Sequence, residues 1–241
     1  MKLADFFTMK IVFLAVSLLL LCNVGISQRI KWQRLTPTKM LEIGFTGNAY
    51  NGDLGSAYQK WGAGASLSLL LNEKEKLNGG ISLSYHSFSG QTISFEPFPI
   101  NEEDVYPNTF FRSNSIAASY NLRYHFIKSD HIHLYLAQGV GLLRFSSKDS
   151  AGNNLQDRLL TRNFDESYSS TTFILPTSVG CVFLLRNGYG LGLQASIQNV
   201  FSDYIDNISQ LGEKPGSDNI ISIKAAFYVP LSFYSTRSRR R

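Results

Sequence analysis

The chain has 241 residues, enough for one domain or two small ones, and a formal net charge of +5. Charged residues make up 17% of it, against roughly 25% in soluble proteins, while apolar residues reach 44% and aromatics 13%. That balance excludes a largely disordered chain. Part of the positive charge sits in the terminal "RSRRR", which on an exported chain reads as a solvated tail, so no nucleic-acid partner is expected.

Lys10 precedes the apolar run "IVFLAVSLLLLCNVG", and "GIS" ahead of Gln28 supplies small residues at the usual cleavage positions. This reads as a secretory signal peptide over residues 1–27, with Met9 a better start than Met1. Cys22 raises a lipoprotein, but Leu21 stands where such a site needs a small residue. Removing the signal leaves Cys181 as the sole cysteine, so no intramolecular disulfide is expected. No apolar run after residue 27 approaches the ~20 residues of a spanning helix. If the chain crosses a membrane, it does so with strands.

From residue 40 onward apolar residues recur at every second position, the period of a strand whose side chains alternate between faces. "MLEIGFTGNA" (40–49) sets Leu41, Ile43 and Phe45 against Glu42, Gly44, Thr46 and Asn48. "WGAGASLSLLL" (61–71) sets Trp61, Ala63, Ala65, Leu67 and Leu69 against Gly62, Gly64, Ser66 and Ser68. "LNGGISLSYHSF" (77–88) separates Ile81, Leu83 and Tyr85 from Gly80, Ser82, Ser84 and His86. "SIAASYNLRYHFI" (115–127) gives Ile116, Tyr120, Leu122 and Tyr124 against Ser119, Asn121, Arg123 and His125.

"IHLYLAQGVGLLRF" (132–145) alternates likewise, except that Gln138 breaks its apolar face. "TFILPTSVGCVFLL" (172–185) is the least regular, with Ile174 and Val182 on the otherwise small face. "YGLGLQASIQN" (189–199) is clean, and "IISIKAAFYVPLSF" (220–233) opposes Ile223, Ala225, Phe227 and Val229 to Ser222, Lys224, Ala226 and Tyr228.

One face of each stretch is large and apolar, the other small and polar. A soluble sheet and a lipid-facing barrel both fit one such strand. The connections separate them. "NEKEK", "KSDH" and "RNG" are short, and Asn187-Gly188 is a hairpin signal. The links over residues 89–112, 146–170 and 199–218 are long, beyond the ~12–15 residues usual in compact soluble domains. Alternating short turns and long loops belong to outer-membrane barrels, with the short turns periplasmic. The predicted fold is therefore an all-β, eight-stranded antiparallel up-and-down transmembrane barrel in the cell outer membrane, with outer-membrane lipid as its surroundings. Its predicted organisation is a periplasmic N-terminal segment at 28–39, the barrel at 40–233 and a basic tail at 234–241. Eight strands leave an interior that side chains nearly fill, which explains the rows of Gly and Ser.

Glu42, Arg123 and Lys224 fall on the inward face. A charge in a narrow lumen is costly unless paired, so Glu42 is expected to pair with Lys224, Arg123 or both, blocking conduction. The long loop after the seventh stretch carries Asp203, Tyr204, Ile205, Asp206 and Asn207, a possible partner-contact segment.

Three stretches are similar to one known family. "LEIGFTGNAYNGDLG" (41–55) resembles the first strand and loop of small Bacteroidota outer-membrane barrels of the PorG-like type. "IHLYLAQGVGLLRF" resembles their central strand, and "FSDYIDNIS" (201–209) the segment after their seventh strand. The resemblance implies a non-enzymatic accessory or scaffold component of a type IX secretion or gliding apparatus, with a protein partner in that complex.

No phosphate-binding loop, HExxH or cysteine-based metal motif occurs, and no cofactor is expected. His131 and His133 share a face and offer two ligands, but the sequence places no carboxylate, third His or Cys beside them, so no metal is expected. Asp203, Asp206 and Asn207 lack the spacing of a Ca²⁺ loop. His86 beside Ser84 and Ser87 is the one hydrolase-like grouping, and a polar lining residue is the simpler reading. No catalytic residue is assigned. A lipid-modifying hydrolase and a small porin or adhesin-like binding barrel remain the alternatives.

Overall fold

The computed structural model describes residues 36–52, 54, 58–91, 98–100, 103–105, 109–157, 168–202, 204–208 and 218–234. The expected signal peptide at 1–27, the remaining residues up to 35 and the tail beyond 234 lie outside the described residues. Among the described residues ten strands form: β1 Thr36–Asn51, β2 Trp61–Leu71, β3 Leu77–Gln91, β4 Phe98–Ile100, β5 Glu103–Val105, β6 Phe110–Lys128, β7 Ile132–Lys148, β8 Thr171–Leu184, β9 Gly190–Val200 and β10 Asn219–Tyr234. Eight of them close into an antiparallel barrel, each beside its predecessor, with β1 paired to β10 from Thr36↔Tyr234 to Asn51↔Asn219. β4 and β5 pair only with each other, within the long connection after β3. The eight alternating stretches of the sequence are the eight barrel strands. β1 and β10 run a little past their periodic cores, to Thr36 and Tyr234, because each pairs with the other to its end.

Period two sends the large apolar groups outward. Phe45, Ile81, Ile116, Phe173, Leu193 and Ile223 are all exposed, Phe45 by 75%. Such a continuous apolar surface needs lipid or a partner to cover it. The break at Gln138 is satisfied locally on that outer face. Thr177 Oγ1 donates to Gln138 Oε1 at 2.8 Å, and Gln138 Nε2 donates to the Pro176 carbonyl at 3.3 Å. Pro176 has no N–H to give, and the β7–β8 pairing resumes only at Gly141↔Ile174.

The short connections set the register. At 185–189 the Gly188 N–H donates to the Leu185 carbonyl at 3.0 Å, and Leu185 N–H to the Tyr189 carbonyl at 2.7 Å. Gly188 takes φ of 85° while Asn187 stays at negative φ. The Asn-Gly pair thus forms a longer loop with a left-handed glycine at its end, not the two-residue turn that the dipeptide most often signals.

The lumen is layered. At the long-loop end, Tyr50, Phe88, Phe111, Phe145, Ile174 and Ile220 pack with Leu54, Leu155, Ile205 and Ile208 from the loops. At the short-turn end, Met40, Leu70, Tyr135, Val182 and Tyr228 form a second apolar layer. The two irregular residues of β8, Ile174 and Val182, belong one to each layer. Inward glycines make space for large neighbours: a Cβ at Gly180 would lie 2.4 Å from the Tyr135 hydroxyl, and one at Gly44 2.7 Å from Lys224 Cδ.

Candidate functional site

Between the two apolar layers the lumen is polar and charged. Glu42 projects inward from β1 and is fully buried. Its Oε2 accepts from Arg123 Nη2 of β6 at 2.8 Å, and its Oε1 accepts from Lys224 Nζ of β10. Ser68 Oγ on β2 also donates to Oε1 at 3.3 Å. The Arg123 guanidinium lies 4.3 Å from the centre of the Tyr135 ring, a cation–π contact. One carboxylate therefore holds two cations drawn from opposite sides of the barrel, a clamp across the lumen. Ions in so dry a setting are stable only as a set, since each bears a desolvation cost its partners must offset.

On the long-loop side of this clamp lies a small cavity of about 70 Å³, lined by residues that include Ser66, Ser84, Ser119, Gln194 and Ser222. In this measure a water occupies roughly 10–15 Å³, so the cavity suits a few waters and not an acyl chain. His86 sits here. Its Nδ1 is 2.9 Å from Asn48 Oδ1, and its Nε2 is 2.8 Å from Ser84 Oγ and 3.3 Å from Gln198 Nε2. Ser84, His86 and Asn48 thus stand in the order of a nucleophile, base and orienting group, but inside the lumen. Ser87 pairs in register with Asn114 and does not join them.

The short turn 72–76 carries a further group. Asn72 takes φ of 62°, Glu73 N–H donates to the Thr38 carbonyl at 2.9 Å, and Lys128 Nζ donates to the carbonyls of Glu73 and Glu75. These contacts fold the turn under the barrel and bury the Glu73 side chain. Burial pushes the Glu73 carboxyl above its ordinary value of 4.5, against the pull of Arg123 and Lys128. Glu73, His125 and His133 come together there. His131, the other half of "HIH", is exposed at the turn and is not in the group. Sequence reasoning missed Glu73 because a turn has no periodicity to show which way a side chain points. It placed His125 on the inward face without a partner, because the partner depends on register.

At the opposite mouth, the loop after β9 turns inward. Ile205, Asp206 and Asn207 are each 0% exposed, so these side chains cap the barrel and present nothing to a surface partner. The reason is local: Asp206 Oδ2 accepts from Tyr50 OH at 2.8 Å and Leu54 N–H at 3.0 Å, and Oδ1 accepts from Ile208 N–H at 3.0 Å. Asp218 completes the cap, with the Tyr50 hydroxyl 2.5 Å from its Oδ1. Asn207 tolerates its φ of 68° better than most residues. Tyr204 is only partly buried and meets Tyr168 edge-on at 5.6 Å. Asp203 lies outside the described residues.

No family model and no curated protein sequence matches the chain. Solved structures of small outer-membrane barrels do. Neisserial surface protein A is 15% identical with a TM-score of 0.49, covering 80% of this chain and 96% of that one. Ail of Yersinia pestis, solved with the heparin analogue sucrose octasulfate, is 13% identical with a TM-score of 0.44, covering 80% and 99%. The outer membrane enzyme PagL is 16% identical with a TM-score of 0.35, covering 79% and 99%. These are likenesses of architecture. The closed eight-stranded topology stands on the strand register itself.

Proposed function

We propose that this chain is a non-enzymatic outer-membrane barrel, held shut, that acts as a scaffold or accessory component of a type IX secretion or gliding-type surface apparatus. The observation that carries the non-conducting part is the Glu42–Arg123–Lys224 clamp between two apolar layers. Side chains from opposite walls meet across the lumen there, which opposes ion flow. The apolar exterior supports the membrane placement. The resemblance of "LEIGFTGNAYNGDLG", "IHLYLAQGVGLLRF" and "FSDYIDNIS" to PorG-like barrels supports the narrower role. Within the last of these, Ile205, Asp206 and Asn207 serve the cap, so a protein partner would read other parts of the loops. Affinity purification from detergent-solubilised outer membranes tests this reading. Recovery with components of a secretion or gliding complex is expected. Steady ion conductance of the purified barrel in planar bilayers, or recovery without any such component, would overturn it.

A further inference from the structure

Three side chains from separate stretches converge at the short-turn mouth. Glu73 comes from the β2–β3 turn, His125 from the end of β6 and His133 from the start of β7, and their ligating atoms all lie within 4.8 Å of one another. All three are buried, His133 the most open at 8%. A register slip between His125 and Ile127 shapes this corner: Phe126 and Ile127 both face outward, Lys128 comes opposite His133, and His125 stays inward with its ring centre 5.2 Å from that of His133. Bulges are a common device for aiming a functional side chain.

His125 Nε2 is 4.0 Å from Glu73 Oε2. That is too long for a hydrogen bond. It is close to the ~3.3–3.5 Å between two ligands of one tetrahedral ion bound at about 2.0–2.2 Å. Glu73 Oε1 is buried with no hydrogen bond of good geometry, and the Asn78 amide lies beside the carboxyl. The nearby cations are engaged elsewhere, Lys128 on the turn carbonyls and Arg123 on Glu42. Asn78 flanks the group, its Nδ2 3.3 Å from His125 Nδ1, and its own Oδ1 is a second buried acceptor without a partner. A half-turn of that planar amide exchanges its two ends. Oδ1 then accepts His125 Nδ1–H, and the Nε2 lone pair is left facing Glu73. A metal-bound imidazole typically has this support from a carbonyl or carboxylate behind it.

We propose that Glu73, His125 and His133 bind a divalent transition-metal ion of the Zn²⁺ class, with water in the remaining position. Two imidazoles and one carboxylate suit such an ion over Mg²⁺ or Ca²⁺, which favour all-oxygen sets. The site stands independently of the scaffold reading.

The test uses the untagged mature chain folded in detergent, stripped of metal and titrated with Zn²⁺ alone, then with Co²⁺. One Zn²⁺ per chain and the intense visible absorption of four-coordinate Co²⁺ are expected. Glu73→Gln and His133→Gln should each weaken binding by about ten-fold or more, Asn78→Leu by about 10–100-fold, and His131→Gln not at all. Circular dichroism checks that each variant folds. For any that does not, zinc-edge X-ray absorption of the wild-type chain should show two imidazoles on the bound ion. Absence of stoichiometric binding by the wild-type chain, binding unaffected by His133→Gln in a folded variant, or fewer than two imidazoles on the ion would overturn the site.

Discussion

At the long-loop mouth, Tyr50 stacks on Phe88 at 5.9 Å and meets Phe111 edge-on at 4.8 Å, and loop residues Leu54, Leu155, Ile205 and Ile208 fill the space above. Toward the short-turn mouth, Glu42 holds Arg123 and Lys224, and the side chains come from strands or from a tight turn. The first closure is many small apolar contacts, several made by long loops. The second is a few charges fixed by register. Dispersion and area accumulate contact by contact, so the loop-end plug should weaken in proportion to what is removed. A buried ion set has no intermediate state, because removing one member strands the others in a dry lumen.

The largest effect should therefore come from the smallest chemical change. Glu42→Gln keeps the volume but leaves two buried cations without their anion. We expect a loss of about 3–5 kcal/mol in denaturant unfolding from bilayers. Adding Lys224→Met to Glu42→Gln should recover part of that loss. A loss below about 1 kcal/mol would mean that water reaches the clamp and screens it. At the other mouth, Phe111→Ala removes a fully buried ring and should cost about 3 kcal/mol, with no recovery from any charge change. Equal salt dependence of the two variants would erase the distinction between the ends.

Asp206→Asn probes the polar centre of the plug, where Asp206 and Asp218 flank the Tyr50 hydroxyl. An amide in its place presents a donor toward the N–H of Leu54 or Ile208, and about 2 kcal/mol should be lost. The loss should be local. Protease cleavage near residues 201–208 should rise while the strands stay protected, because this carboxylate fastens a loop to Tyr50 of β1 and takes no part in the strand pairing. Cleavage unchanged from the wild-type chain would show that the loop is held by packing alone.

The two ends also differ in how far the sequence discloses them. Alternation carries a side chain's direction, so His86 and Arg123 both read as inward residues. It does not carry their partners, since whether Glu42 meets Arg123, Lys224 or both depends on barrel diameter and strand tilt. Ile174 and Val182 look like faults in the pattern because period two cannot distinguish a small lumen position from one filled by an apolar layer. Loops and turns have no period at all. Ile205 and Asp206 read as surface and are buried, and Glu73 reads as one charge in a solvated turn although it folds under the barrel. The slip between His125 and Ile127 leaves no trace in composition, yet it decides which residues meet His133.

The smallest expected effect lies in the layer between the ends. Ser84, His86 and Asn48 have the order of a catalytic triad, and the chemistry they would need can be checked against the geometry. A serine nucleophile requires room for an acyl group beside its Oγ, and the adjoining cavity is only about 70 Å³. The base requires a free lone pair for the serine proton. His86 Nε2 is shared between Ser84 at 2.8 Å and Gln198 at 3.3 Å. Asn48 Oδ1 accepts from Ser222 Oγ at 2.8 Å as well as facing His86 Nδ1. The group is thus a structural hydrogen-bond chain linking β1, β3, β9 and β10. Ser84→Ala then removes one neutral hydrogen bond and should cost about 1 kcal/mol. Release of fatty acid from phospholipid or lipid A is expected to stay at the level of a protein-free control for this variant and for the wild-type chain alike. Hydrolysis by the wild-type chain that Ser84→Ala abolishes would make the lumen an active site and overturn the non-enzymatic reading.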